Sequence, residues 1–110
     1  METSTFRGAA ATDGDQLVGM LLGQLEGWID GDLFLIQEMC VAPNRQNVGI
    51  GRRLLEYALA QVNATDQVIA AYLLTDGESR AEAFYSRYGF GRSSGKVVLN
   101  LRLKQPAGHR

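Results

Sequence analysis

Residues able to bind a metal or form a covalent bond are scarce in this chain. Cysteine and histidine occur once each, as Cys40 and His109. A lone cysteine excludes an internal disulfide, and the pair is too small for a structural zinc site or a Cys-His catalytic unit within one chain. No metal is expected. Long apolar runs are missing too. None approaches the roughly 20 residues needed to span a bilayer, so no membrane partner is expected. The opening METSTFRGAAATDGD lacks a basic start followed by an apolar core. It does not read as a secretory signal, and the expected location is cytoplasmic.

Positive charge is scarce at one end. Through residue 40, Arg7 stands alone against seven acids, a balance of −6, whereas from residue 41 ten bases face five acids, a balance of +5. The net charge is only −1, and the asymmetry points to different partners for the two halves. The bases show no aromatic interleaving, and no nucleic-acid partner is expected. With 110 residues, 45% of them apolar, the chain has the size and composition of one globular domain, residues 1–110.

Residues Thr3–Thr12 read as a weak edge strand, closed by the turn Asp13-Gly14-Asp15 within the first fifteen residues. Gln16–Trp28 is β-compatible and apolar, and Gly19 and Gly23 make a helix there expensive, at ~1 kcal/mol each against alanine. Asp30-Gly31-Asp32 reads as a hairpin turn and Leu33–Val41 as a third strand. Pro43 stops it. Ile50, Leu54, Leu55, Ala58, Leu59 and Val62 then recur at helical spacing. Gln67–Leu74 reads as a buried strand, and a second helix is expected from about Glu78 to Tyr88, with Gly89 as its C-terminal glycine. Val97–Leu103 alternates like a closing strand, and residues 104–110 form a flexible tail. The predicted class is therefore mixed α/β: an antiparallel meander followed by β-α-β-α-β, with a locally parallel strand pair.

The stretch Asn44–Leu59 carries two glycines into the first helix. Helix first-turn amides have no internal partner and, with the macrodipole, form an anion site. Gly49 and Gly51 remove side chains there, and Arg45, Arg52 and Arg53 surround it with positive charge. A P-loop would need a lysine and a hydroxyl that are missing, and a dinucleotide fingerprint fails because Leu54 stands where its third glycine belongs. Gln46-Asn47-Val48-Gly49-Ile50-Gly51 fits Q-x-x-G-x-G at every specified position. A glycine-rich helix entry without a ligand is the plain alternative.

Two separated segments together resemble the GNAT superfamily of acyl-CoA-dependent N-acetyltransferases. The first is Val41-Ala42-Pro43 followed by the Gln46–Gly51 motif and an amphipathic helix. The second is Ala81-Glu82-Ala83-Phe84-Tyr85-Ser86-Arg87-Tyr88-Gly89-Phe90, similar to the family's A-x-x-[FL]-Y-x-x-x-G-F. The resemblance spans roughly Gln16 to Leu103. It implies acetyl-CoA as co-substrate and a primary amine as acceptor. The pyrophosphate would rest on the amides of Gln46, Asn47, Val48, Gly49, Ile50, Gly51 and Arg52. The pantetheine arm would lie like an added strand against Met39, Cys40 and Val41, in a gap between the strand ending at Val41 and the one beginning near Gln67.

In direct transfer the resemblance gives Tyr85 the role of protonating the departing thiolate, and the amide of Cys40 or Val41 that of oxyanion donor. Glu38, one strand step away, is a candidate to draw the amine proton through water, or else a solvated carboxylate. Cys40 as an acyl carrier is the weaker reading, since a cysteine on an apolar strand is more often core. The acidic first half would face a cationic amine.

The family normally opens with a strand and two helices that shape the acceptor pocket, and here only about fifteen residues precede Gln16. Three readings stay open. The chain is a compact enzyme with an open groove, or a homodimer completing its acceptor site through the Thr3–Ala11 edge, or a truncated form that binds acyl-CoA without turnover. Glu78 also stands where many members have asparagine.

Overall fold

In the computed structural model the described residues are 6–65 and 67–104. They form β1 (Phe6–Asp13), β2 (Gln16–Trp28), β3 (Gly31–Val41), a 3-10 turn (Pro43–Arg45), α1 (Ile50–Thr65), β4 (Val68–Tyr72) and α2 (Arg80–Tyr88). The strands make one sheet in the order β1-β2-β3-β4. The first three pair antiparallel in a meander, and β3 pairs parallel with β4 across the α1 connection. Mixed α/β is therefore the class, as the pattern of apolar periods requires.

Opposed residues of neighbouring strands share a face. Leu21, Phe34 and Ile36 turn inward, and with Leu54, Leu55, Ala58 and Val62 of α1 and Tyr85 of α2 they form the core. Phe34, Leu21, Leu55 and Val62 are its largest fully buried side chains, each worth roughly 1.5–3 kcal/mol of transfer free energy. The apolar stripe read along α1 is the face that packs. Met20, Leu22, Leu33 and Leu35 alternate with these residues and lie on the other face, where they are only partly buried.

A bulge near the middle of β3 decides which side chains reach which face. Leu22 pairs with Glu38 and Gly23 with Ile36, so Gln37 is an extra residue. Phe34 and Ile36 point into the core before it, and Met39 and Val41 do so after it. Strict alternation along Leu33–Val41 would have put Glu38 inside.

Several expected elements differ, among them the buried strand expected over Gln67–Leu74, which is β4 and is mostly exposed at the edge of the described sheet. Residues 3–5 of the expected first strand lie outside the described residues, and β1 then runs to Asp13, pairing with β2 throughout. The second turn falls one residue earlier than Asp30-Gly31-Asp32: Trp28 pairs with Gly31, which leaves Ile29 and Asp30 as the loop. Gly31 is already in the ladder, and the position calls for glycine because a Cβ there would meet Ile69 Cγ2 at 2.7 Å and its φ is +147°. The closing strand expected over Val97–Leu103 does not form. These residues adopt no strand, and Val97, Leu99, Leu101 and Leu103 are all at least 80% exposed. Alternating apolar residues make a strand only where a paired edge receives them, and the described sheet ends at β4. Of the expected tail, residues 105–110 lie outside the described residues.

α2 begins at Arg80 rather than Glu78 because Glu78 has a left-handed φ of +58°. Ser79 caps it, its Oγ accepting from the Glu82 amide at 3.1 Å. The Glu82 carboxylate in turn accepts from the Glu78 amide at 2.6 Å and from Arg92 through two bonds. The Arg92 guanidinium and then the Glu78 amide hold Glu82 down at about 2, against an ordinary 4.5. A depressed carboxylate contributes stability above its unfolded value and loses it as pH falls toward the folded one. The melting temperature is therefore expected to drop between pH 4.5 and about 2. Arg92→Ala should flatten that decline in a thermal melt series.

Candidate functional site

β3 and β4 separate partway along the sheet. Their pairing runs from Asp32 and Val68 to Leu35 and Tyr72 and stops there, while β3 continues to Val41. Beyond Leu35 the β4 side of β3 therefore faces a gap. At the end of the strand the Ala42 amide donates to Val18 O at 2.8 Å, and Gln46 Nε2 donates back to Val41 O at 3.1 Å. The loop is thus tied to the strand it follows.

Asn47 and Gly49 both adopt left-handed backbone, at φ +65° and +90°; asparagine and glycine are residue types suited to it. Gly49 O accepts the first helical bond, from the Arg53 amide at 3.1 Å. The amides of Ile50, Gly51 and Arg52 are then left without partners inside α1. A Cβ on Gly51 would lie 3.5 Å from the Phe84 ring and 3.7 Å from Met39 Cε, so the glycine leaves a cradle between α1, α2 and β3.

This cradle belongs to a cavity of about 870 Å³. Met39, Cys40 and Val41 line it from β3, and Gln46, Asn47, Gly49, Gly51 and Arg52 from the loop and α1. Tyr85 lines it from α2. Three expected site residues are not in the lining. Val48 is exposed, Ile50 packs against the core beside a second groove, and Glu38 sits beyond the bulge on the other face.

The arginines divide differently from the expectation. Arg45 and Arg52 line the cavity, with Arg45 bound to Asp13 at 2.8 Å and Arg52 to Glu56 at 3.2 Å. Arg52 also lies 4.9 Å from the centre of the Tyr88 ring. Arg53 faces instead a groove between β1 and α1. Arg80 and Arg87 line the cavity without having been expected. With Ala83 they stand at i, i+3 and i+7, a single helical face that spacing alone would have revealed. Asp13, one acid of the negative first half, meets a base while its side chain stays largely exposed.

Tyr85 is 8% exposed and held edge-on by Phe84 and Phe90, with ring centres 5.0 and 5.4 Å away. Burial pushes its phenol above the ordinary 10.0, so it is a neutral donor at physiological pH. Cys40 is exposed. Glu38 and Cys40 share the sheet face opposite the helices, since their neighbours Met39 and Val41 pack into the core. Glu26, on that same outer face, accepts from the Tyr72 hydroxyl at 2.7 Å, and this bond, then burial, raises the Tyr72 phenol. Among the described residues no group of three His, Cys, Asp or Glu side chains could hold a metal, and no helix is long and apolar enough to cross a membrane.

Against known proteins, the family model for the acetyltransferase (GNAT) domain matches residues 5–92. The chain belongs to the GNAT acetyltransferase family. A search of curated proteins found no match. Among solved structures the GNAT chain resembles an aminoglycoside acetyltransferase from an uncultured soil metagenomic sample, with a TM-score of 0.79 and 20% identity over 94% of this chain and 69% of that one. It also resembles an integron cassette protein from the mobile metagenome of V. cholerae, with a TM-score of 0.79 and 18% identity over 92% of this chain and 64% of that one. A third neighbour is a transcriptional regulator from Bacillus halodurans, with a TM-score of 0.76 and 20% identity over 92% and 68%. At such identities the likeness shows the fold, and these names differ widely in function. The GNAT chain spans only 64–69% of their lengths.

Proposed function

We propose that this GNAT protein transfers an acetyl group from acetyl-CoA directly to a primary amine on a cationic molecule. The observation that carries the reading is the cavity where the end of β3, the start of α1 and Tyr85 meet, lined by Arg45, Arg52, Arg80 and Arg87. Its unpaired amides and arginines suit a polyanionic pyrophosphate. The gap beyond Leu35 suits a pantetheine arm bonded to β3 main chain.

The amine attacks the thioester carbonyl, the carbon–sulfur bond breaks, and the Tyr85 hydroxyl protonates the departing thiolate. The amide of Cys40 or Val41 polarises the carbonyl, and Glu38 takes the amine proton through water. Tyr85 and Glu38 lie on opposite faces of the sheet, which supports entry of cofactor and amine from opposite sides of the gap. Glu26 and Glu38 on the outer face favour a cationic acceptor, and the aminoglycoside acetyltransferase of similar fold makes aminoglycosides a first choice for the panel.

A second reading, an acyl-CoA-binding domain without turnover, is favoured by one observation: both helices pack on the inner face, and among the described residues no element covers Met20, Leu22, Leu33 and Leu35. Following free thiol release from acetyl-CoA with polyamines, aminoglycosides and peptide N-termini separates the two. Turnover on a cationic amine supports the enzyme. Saturable CoA binding with no turnover on any of them supports the binding domain, and no CoA binding at all removes both.

Gly51→Ala isolates the cradle from the fold. The added methyl makes only ordinary contacts, and alanine inside a helix is favoured by roughly 0.5–1 kcal/mol over glycine. The variant should melt no lower than the parent. Its affinity for CoA, by calorimetry, should fall about tenfold, or about 1.4 kcal/mol.

A further inference from the structure

The four arginines that line the cavity are not held alike. Among the described residues Arg80 and Arg87 enter no ion pair. Arg52 pairs with Glu56, one turn further along its own helix. Of the four, Arg45 is the one held from a distant element: its Nη2 lies 2.8 Å from Oδ2 of Asp13, the last residue of β1. Asp13 does not line the cavity; it lines the groove between β1 and α1. Arg45 lines both, so it belongs to the wall that separates them. Backbone fixes this meeting from each side. Gly14, at φ +63°, turns the chain directly after Asp13, and Val18 is an extra residue opposite the Ala11–Thr12 step of β1. Val18 O accepts the Ala42 amide at 2.8 Å, and Ala42 O accepts the Arg45 amide at 2.8 Å. The end of the β1–β2 hairpin is thus joined to the turn before the glycines twice, through main chain at Val18 and through side chains at Asp13.

We infer that Asp13 is a positioning residue for the cofactor: its carboxylate holds the Arg45 guanidinium at the cavity wall, ready for a phosphate, without touching the cofactor itself. The inference rests on the reading of the cavity as a CoA site. The two side chains are 32% and 62% exposed, and an ion pair so open adds little to the stability of the fold. Its effect lies elsewhere. A long side chain that is free before binding loses rotamer freedom when a ligand orders it, and a side chain already held does not. A guanidinium carries five N–H donors, so the contact with Asp13 leaves others for an anion. Arg52 needs no such partner from another strand, since Glu56 and the Tyr88 ring already flank it. Charge alone predicts the reverse effect for Asp13. A carboxylate near a polyanion repels it, so its removal would strengthen binding, whereas loss of a positioning contact weakens it. The sign of the change therefore separates the two.

Calorimetry with CoA on the full chain tests this. Asp13→Asn keeps the shape of the side chain, removes its charge and leaves an Asn-Gly pair suited to the turn. It should weaken CoA binding about fivefold, the scale of one long side chain left to be ordered on binding. Asp13→Glu should restore most of that loss, and both variants should melt like the wild type. Arg45→Ala should cost at least as much as Asp13→Asn. Adding Asp13→Asn to Arg45→Ala should cost nothing more, because the carboxylate acts only through the arginine. Affinity that holds or rises in Asp13→Asn overturns the proposal, and so do losses that add in the double variant. A wild-type chain that binds no CoA removes the cofactor reading and this inference with it, whereas CoA binding indifferent to Asp13 sinks the inference and leaves that reading standing.

Discussion

Phenylalanine in place of Tyr85 is expected to lower kcat for acetyl transfer by roughly 10²–10⁴-fold, the contribution typical of a positioned general acid. The KM for acetyl-CoA should stay nearly unchanged. The substitution removes one oxygen and keeps the ring, so the edge-on contacts to Phe84 and Phe90 survive and the melting temperature should hold. The same burial that makes Tyr85 a core residue raises its phenol above 10.0. A raised acid stays protonated to higher pH, so the alkaline limb of the pH–rate profile attributable to Tyr85 belongs above pH 10.0 and should vanish in Tyr85→Phe. Steady-state kinetics across pH, with one amine and saturating acetyl-CoA, read both effects. Undiminished turnover in the variant would make Tyr85 a packing residue only and move the proton donor elsewhere.

The largest effect on stability is expected at Gly23, far from any reacting atom. A Cβ there would sit 2.5 Å from both Cε1 and Cζ of Phe34 and 2.8 Å from the Leu35 carbonyl oxygen. Phe34 is fully buried, so its ring has no free volume to swing into, and the Leu35 oxygen belongs to main chain. Gly23→Ala is expected to cost about 1–3 kcal/mol, the usual range for overpacking a filled core, and to fall at the upper end because backbone must move too. Urea unfolding should show a lower midpoint at constant slope. Gly27 in the same strand is the control, since its nearest neighbour would be Asp32 Oδ1 at 3.9 Å. Gly27→Ala should change stability little. Because Gly23 faces Ile36 next to the Gln37 bulge, the damaged Gly23 variant should also bind CoA less well than its loss of folded protein explains.

Most of the meander and both helices were legible in the sequence because their signals are local. β2 occupies the predicted span Gln16–Trp28, and the stripe Leu54, Leu55, Ala58, Val62 is the buried side of α1. Gly89 ends α2 with φ +133°, as a glycine after a helix should. What was illegible depends on neighbours distant in sequence. The bulge at Gln37 arises from how β3 meets β2, and nothing in LFLIQEMCV announces it, so Glu38 and Tyr85 could not be assigned to opposite faces. The Val97–Leu103 pattern is strand-like in sequence, but a strand also has to pair, and none of the described strands pairs with it. Arg53 fell on the far side of α1 because the turn of the helix, rather than proximity in sequence to the glycines, sets its direction. Arg80 and Arg87 were missed for the opposite reason: their helical spacing was visible, but the cavity they line exists only once α1 and α2 pack together.

β3 changes character along its length without leaving the interior of the sheet. From Asp32 to Leu35 it is flanked on both sides, while from Ile36 to Val41 it has β2 on one side and a cleft on the other. In a hydrogen-exchange map this single strand should look like two. Amides in the first half belong with the slowest in the molecule, whereas every second amide in the last half should exchange like that of a surface strand. A ligand that brings its own amides into the cleft would slow those same positions. The sheet would then gain a strand that the chain does not encode.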